Sequence, residues 1–130
     1  MKSRETVVQL RRFDVEEKQR KVADLENMVA EFGRMAQDLD QQIAAEEARS
    51  GVTDPTHFSY PPFAKAAAQR RDNLATSVSE LTQKLEAAQV ELEQARDVFQ
   101  KARQREERRQ DAGSTNSKSG PTMASASRSF

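Results

Sequence analysis

The chain has 130 residues, of which 32% are charged and 5% aromatic, with acids and bases equal at 21 each and no cysteine. A mean hydropathy of −0.90 leaves too little apolar mass for a compact core of the usual size. The missing cysteines exclude disulfides, thiolate metal sites and cysteine nucleophiles. Ala, Glu, Gln, Arg, Lys and Leu dominate and all favour helix, so the composition suits a seam between helices, which needs few buried side chains per turn. No apolar signal core follows Met1 and Lys2 and no apolar run is long enough to span a bilayer, so a soluble cytoplasmic chain is expected.

A first helix is expected over about residues 4–49. Val8, Val15, Val22, Val29, Ala36 and Ile43 recur at heptad spacing, and Leu25, Phe32 and Leu39 follow three positions later, an a/d pattern sustained long enough to indicate a coiled coil. Arg11 and Lys18 occupy d positions, where their stems cover apolar surface while the charges reach water. Val7, Leu10 and Phe13 fall at g, c and f, off the seam, flanked by Arg4, Arg11 and Arg12. Single surface hydrophobes are ordinary, but a contiguous stripe at a helix end points to an interface. Met28 and Met35, at g, either widen the seam or supply an adaptable contact surface. Gly33, at e, is either a hinge or a helix-propensity cost of about 1 kcal/mol.

Ser50 and Gly51 end the helix, glycine tolerating the left-handed conformation of a C-cap. Residues 50–60 then form a loop. Asp54-Pro55 reads as a turn, and Pro61 suits the first position of a new helix. His57, Phe58, Tyr60 and Phe63 form a loop cluster that reads as a cap on the turn, with a partner-binding tip as the alternative. A lone loop histidine is more often solvated or capping than catalytic, and no nucleophile or ligand cluster accompanies it.

The second helix is expected over about residues 61–110. Leu74, Val78, Leu81, Leu85, Ala88, Leu92, Ala95, Phe99 and Ala102 alternate spacings of four and three. Two heptad helices joined by a short loop fold back on each other, giving an all-α antiparallel two-helix coiled-coil hairpin. Pairing residues at a constant index sum of about 110 sets small against large: Ala36 with Leu74, Phe32 with Val78, Val29 with Leu81, Leu25 with Leu85, Val22 with Ala88 and Val15 with Ala95. That pairing also brings the basic stretches 1–21 and 101–109 together and adds Phe99, Arg103 and Arg105 to the candidate partner surface. Residues 22–47 and 80–97 are acidic. Residues 111–130, rich in serine with Gly113, Gly120 and Pro121, read as a disordered tail.

No catalytic constellation is legible, and no cofactor or metal is expected. The carboxylate pairs Glu16-Glu17, Glu46-Glu47 and Glu106-Glu107 read as solvated helix surface, with no cleft to separate their pKa values. The basic run from Lys101 to Arg109 reads as a helix end favoured by the dipole. Neutral total charge, interspersed acids and the lack of stacking aromatics weigh against nucleic acid.

Several stretches carry a family resemblance: Lys2-Ser3-Arg4-Glu5-Thr6, Leu10-Arg11-Arg12-Phe13 and Glu17-Lys18, and around the loop Asp54-Pro55, His57-Phe58, Tyr60-Pro61, Ala64-Lys65-Ala66 and Gln69-Arg70-Arg71-Asp72-Asn73-Leu74. Over roughly residues 1–100 the chain resembles the FliJ family of flagellar export proteins, in its alphaproteobacterial form. The loop carries most of the weight, since heptads do not dictate its residues. From about Gln104 the chain departs from the family pattern. The resemblance implies an antiparallel coiled-coil stalk or adaptor of the cytoplasmic flagellar type III export apparatus. Such a protein binds the export ATPase hexamer, the export gate membrane protein and export chaperones, and is held at the inner membrane through that apparatus without inserting. A general coiled-coil holdase or scaffold unrelated to flagella, and a parallel homodimer of continuous helices, are the competing readings of the heptads alone.

Overall fold

The computed structural model describes the backbone of residues 2–118 and the side chains of residues 6–113. It is all-α, with α1 spanning Lys2–Ser50 and α2 spanning Pro62–Lys118 packed against each other. α1 runs slightly beyond its expected limits at both ends, whereas α2 begins at Pro62, one residue after its expected start. At the C-terminal end, α2 continues past residue 110 through part of the expected serine-rich tail; residues 119–130 lie outside the described residues. Pairs at i,i+4 support that continuation: Gln110 Nε2 donates to Glu106 Oε2 at 3.2 Å, and Arg103 lies 3.7 Å from Glu107.

The chain divides into two compact units, residues 20–90 and residues 1–19 with 91–130. In the unit of residues 20–90, the start of α2 returns along the end of α1. Val22, Leu25, Leu39, Ile43, Leu81 and Ala88 are buried, while Val29, Phe32, Ala36, Leu74, Val78 and Leu85 are half-buried, as the heptads require. Leu39, Ile43, Tyr60, Ala64 and Ala67 form one cluster, with Val52, Ala68 and Leu74 packed against it. Ala64 and Ala67, at 0% and 3% exposed, extend the seam of α2 towards its start. Their small side chains leave room for Ile43 and the Tyr60 ring. Arg71 Nη1 donates to Asp40 Oδ1 at 3.0 Å across the two helices, within one step of the expected register.

The helix ends follow from local chemistry. Gly51, at φ 75°, donates its N–H to the Glu47 carbonyl at 2.9 Å, and its left-handed backbone ends α1. Pro61 is the N-cap of α2, its carbonyl accepting the Lys65 N–H at 3.1 Å, and Pro62 occupies the first helical position. Neither proline has an N–H to leave unsatisfied there.

In the unit of residues 1–19 and 91–130, the N-terminal part of α1 lies against the C-terminal part of α2. Val15, Leu92, Ala95 and Ala102 are buried and Val8 is half-buried. Of the two polar d positions, Lys18 is half-buried and donates to Asp14 Oδ1 at 3.1 Å, whereas Arg11 is exposed.

Candidate partner-binding surfaces

The N-terminal stripe is uncovered. Val7, Leu10 and Phe13 are 46%, 61% and 53% exposed, and Val98 of α2, at 42%, joins them. Arg4 lies on α1, but its side chain is outside the described residues. One shallow depression is lined by Val7, Val8, Ala102, Arg105 and Glu106, and another holds Arg11, Asp14, Lys18 and Val98. A third is formed by Arg105, Arg108, Arg109 and Ala112.

The described arginines of this unit fall into two groups. Arg12 and Arg103 are engaged within the fold: their guanidiniums lie over the Phe99 ring, 5.5 and 5.7 Å from its centroid. Phe99 is half-buried, so it acts first as a seam residue held by cation–π contacts rather than as a freely offered contact. Arg11, Arg105, Arg108 and Arg109 are exposed and make no ion pair with another described residue. Lys18 is held protonated to higher pH than an ordinary lysine, chiefly by its hydrogen bond to Asp14 and then by that carboxylate's charge.

The expected loop cluster separates. Tyr60, 8% exposed, is the cap: its ring joins the Leu39 cluster and its hydroxyl donates to Glu47 Oε2 at 2.7 Å. That bond raises the phenol above its ordinary pKa, assisted by burial. Phe58 and Phe63 do not cap; they are 95% and 54% exposed. The difference lies in the local turns. Asp54 opens the first: its carbonyl accepts the His57 N–H at 3.0 Å, and its carboxylate accepts the Thr56 N–H at 3.0 Å and the Thr56 hydroxyl at 2.8 Å. The Thr56 N–H, then its hydroxyl, hold Asp54 below the usual carboxylate range. The His57 carbonyl then accepts the Tyr60 N–H at 3.0 Å, and His57 Nδ1 accepts the Ser59 N–H at 3.0 Å. This second turn directs Tyr60 inward and leaves Phe58 outside, stacked on the His57 ring at 4.8 Å and 21°.

The heptad pattern omitted Val98, Arg108 and Arg109 from the candidate surface, although the g position of Val98 on α2, which antiparallel pairing sets beside the g row of α1, is readable from the same register. Among the described residues, no group of three His, Asp or Glu side chains is placed to hold a metal ion. Nor is any helix among the described residues long and apolar enough to cross a membrane. No protein-family model, curated protein or solved structure matches the chain.

Proposed function

We propose that this protein is a coiled-coil adaptor of a flagellar-type export ATPase complex. It binds the ATPase ring through the N-terminal part of α1 and the C-terminal part of α2, and reaches the export gate and export chaperones through its other surfaces. In this reading it works in the cytoplasm and is held at the inner membrane only through its partners. The observation that supports a binding role is the combination of uncovered Val7, Leu10 and Phe13 with exposed, unpaired Arg11 and Arg105 in one unit. Apolar side chains gathered at a helix end among free guanidiniums are poorly explained by stability and well explained by a partner. The flagellar assignment rests on the loop resemblance.

The test is a pull-down with the full chain from a motile parent cell, scored for the export ATPase. Capture that is lost in Arg11→Glu/Arg105→Glu, with helix content unchanged, is the expected result. Absence of the ATPase from the unmodified pull-down rejects the flagellar reading and favours the holdase, which must then suppress aggregation of clients unrelated to flagella.

A further inference from the structure

Val7 and Val98 share the g row of the heptads with Arg105, Leu10 lies beside it at c, and Arg11 borders it at d. Beside the Lys18–Asp14 pair and the engaged Glu91, this face carries apolar side chains left uncovered and guanidiniums left unpaired. We propose that this face receives an acidic amphipathic helix of a partner protein, laid in as a third strand. The proposal rests on the reading that this unit is a partner surface, and it names the chemistry of the partner.

Two physical points select this occupant. The shallow depressions lined by Val7, Val8 and Ala102 and by Arg11 and Val98 lie along two packed helices. A groove between helices is filled most fully by another helix, whose side chains at i, i+3 and i+7 enter it. The charge balance then selects an acidic one. Asp14 and Asp97 are held by Lys18 and Lys101, both at 3.1 Å. The Glu106 carboxylate in the floor keeps its charge, since its Oε2 accepts only from the neutral Gln110 amide. Glu91 beside Arg11 is itself engaged, so four free arginines stand against one carboxylate that no described cation pairs. A nucleic-acid backbone would answer those charges and leave Leu10 and Val7 unused, whereas a helix with Glu flanking a Leu row answers both.

The experiment uses the full chain and three fluorescent helical peptides, read by anisotropy: a Leu row with Glu flanks, the same row with Lys flanks, and Glu flanks with Ser replacing the Leu row. The Leu/Glu peptide is expected to bind, the other two about tenfold or more weaker, because like charge or a lost apolar face removes one of the two contributions. Leu10→Ser and Arg105→Glu each reduce affinity about fivefold or more, while Arg96→Glu, on the e row, leaves it unchanged. Circular dichroism checks that each variant keeps its helix content.

Failure of the Leu/Glu peptide to bind, or equal binding of the Lys version, overturns the proposal. So does displacement of the peptide by duplex DNA, or self-association of the chain that buries Leu10. A chain that pulls down the ATPase but ignores the peptide keeps the proposed function and rejects this chemistry. One that binds the peptide but not the ATPase does the reverse.

Discussion

Gly33 sits in the middle of α1, where a residue without a side chain is either needed or merely tolerated. A Cβ built at this position meets nothing within 4 Å, and its φ lies outside the left-handed region. Ala therefore fits without displacing a neighbour or straining the backbone. Replacing Gly by Ala in a helix interior is worth about 1 kcal/mol, mostly because the glycine backbone loses more freedom on folding. A methyl in open space buries little, so the propensity gain stands nearly alone. For a chain of this size about 1 kcal/mol corresponds to a rise in Tm of about 4 °C. Thermal unfolding of Gly33→Ala followed at the helical circular dichroism band measures it. An unchanged or lowered Tm would refute the reasoning, and a raised Tm accompanied by lost partner binding would identify the glycine as a functional hinge or a point of close approach.

Tyr60 is the only tyrosine and there is no tryptophan, so its phenolate absorbance reports on the loop directly. Its folded pKa is raised, so the Glu47 hydrogen bond contributes fully below pH of about 10 and is lost as pH climbs through the folded pKa. Glu47→Gln is expected to move the phenol titration midpoint down, and an unmoved midpoint counts against the bond. Asp54 has the opposite sign: its folded pKa is lowered, so its contribution is present above the ordinary carboxylate value and disappears as pH falls through the folded one. Asp54→Ala is expected to lower Tm at neutral pH and to flatten the acid limb of the Tm profile, as read by calorimetry. Phe99→Ala, at a half-buried seam position, is expected to cost about 2 kcal/mol in urea unfolding. A double-mutant cycle of Phe99→Leu with Arg12→Met should return a coupling of about 0.5–1 kcal/mol, and a coupling of zero removes the cation–π contact from the account.

The period of the apolar residues contains most of the fold. A heptad repeat admits one buried stripe per helix, so the positions from Val15 to Ile43 and from Leu74 to Ala102 are forced to the seam before any contact is known. Gly51 and the prolines at 55, 61 and 62 place the reversal of the chain because their backbones permit little else. The off-seam stripe of Val7, Leu10 and Phe13 is likewise readable, since a residue that cannot face the seam must face away from it.

What periodicity leaves open are choices between side chains of one kind. Tyr60 and Phe58 are both loop aromatics, and only Glu47, thirteen residues upstream, together with the two turns, separates the buried one from the displayed one. Arg12 and Arg105 are both cations of the basic end, yet one is engaged by Phe99 and the other is left free. Such distinctions depend on which distant segment comes within a few ångströms, and that distance exists only after the helices have packed. The sequence by itself determined the helices, their seam and their reversal, because backbone and burial preferences are local and repeat along the chain. The tertiary structure alone decided which charges and rings remain available to a partner.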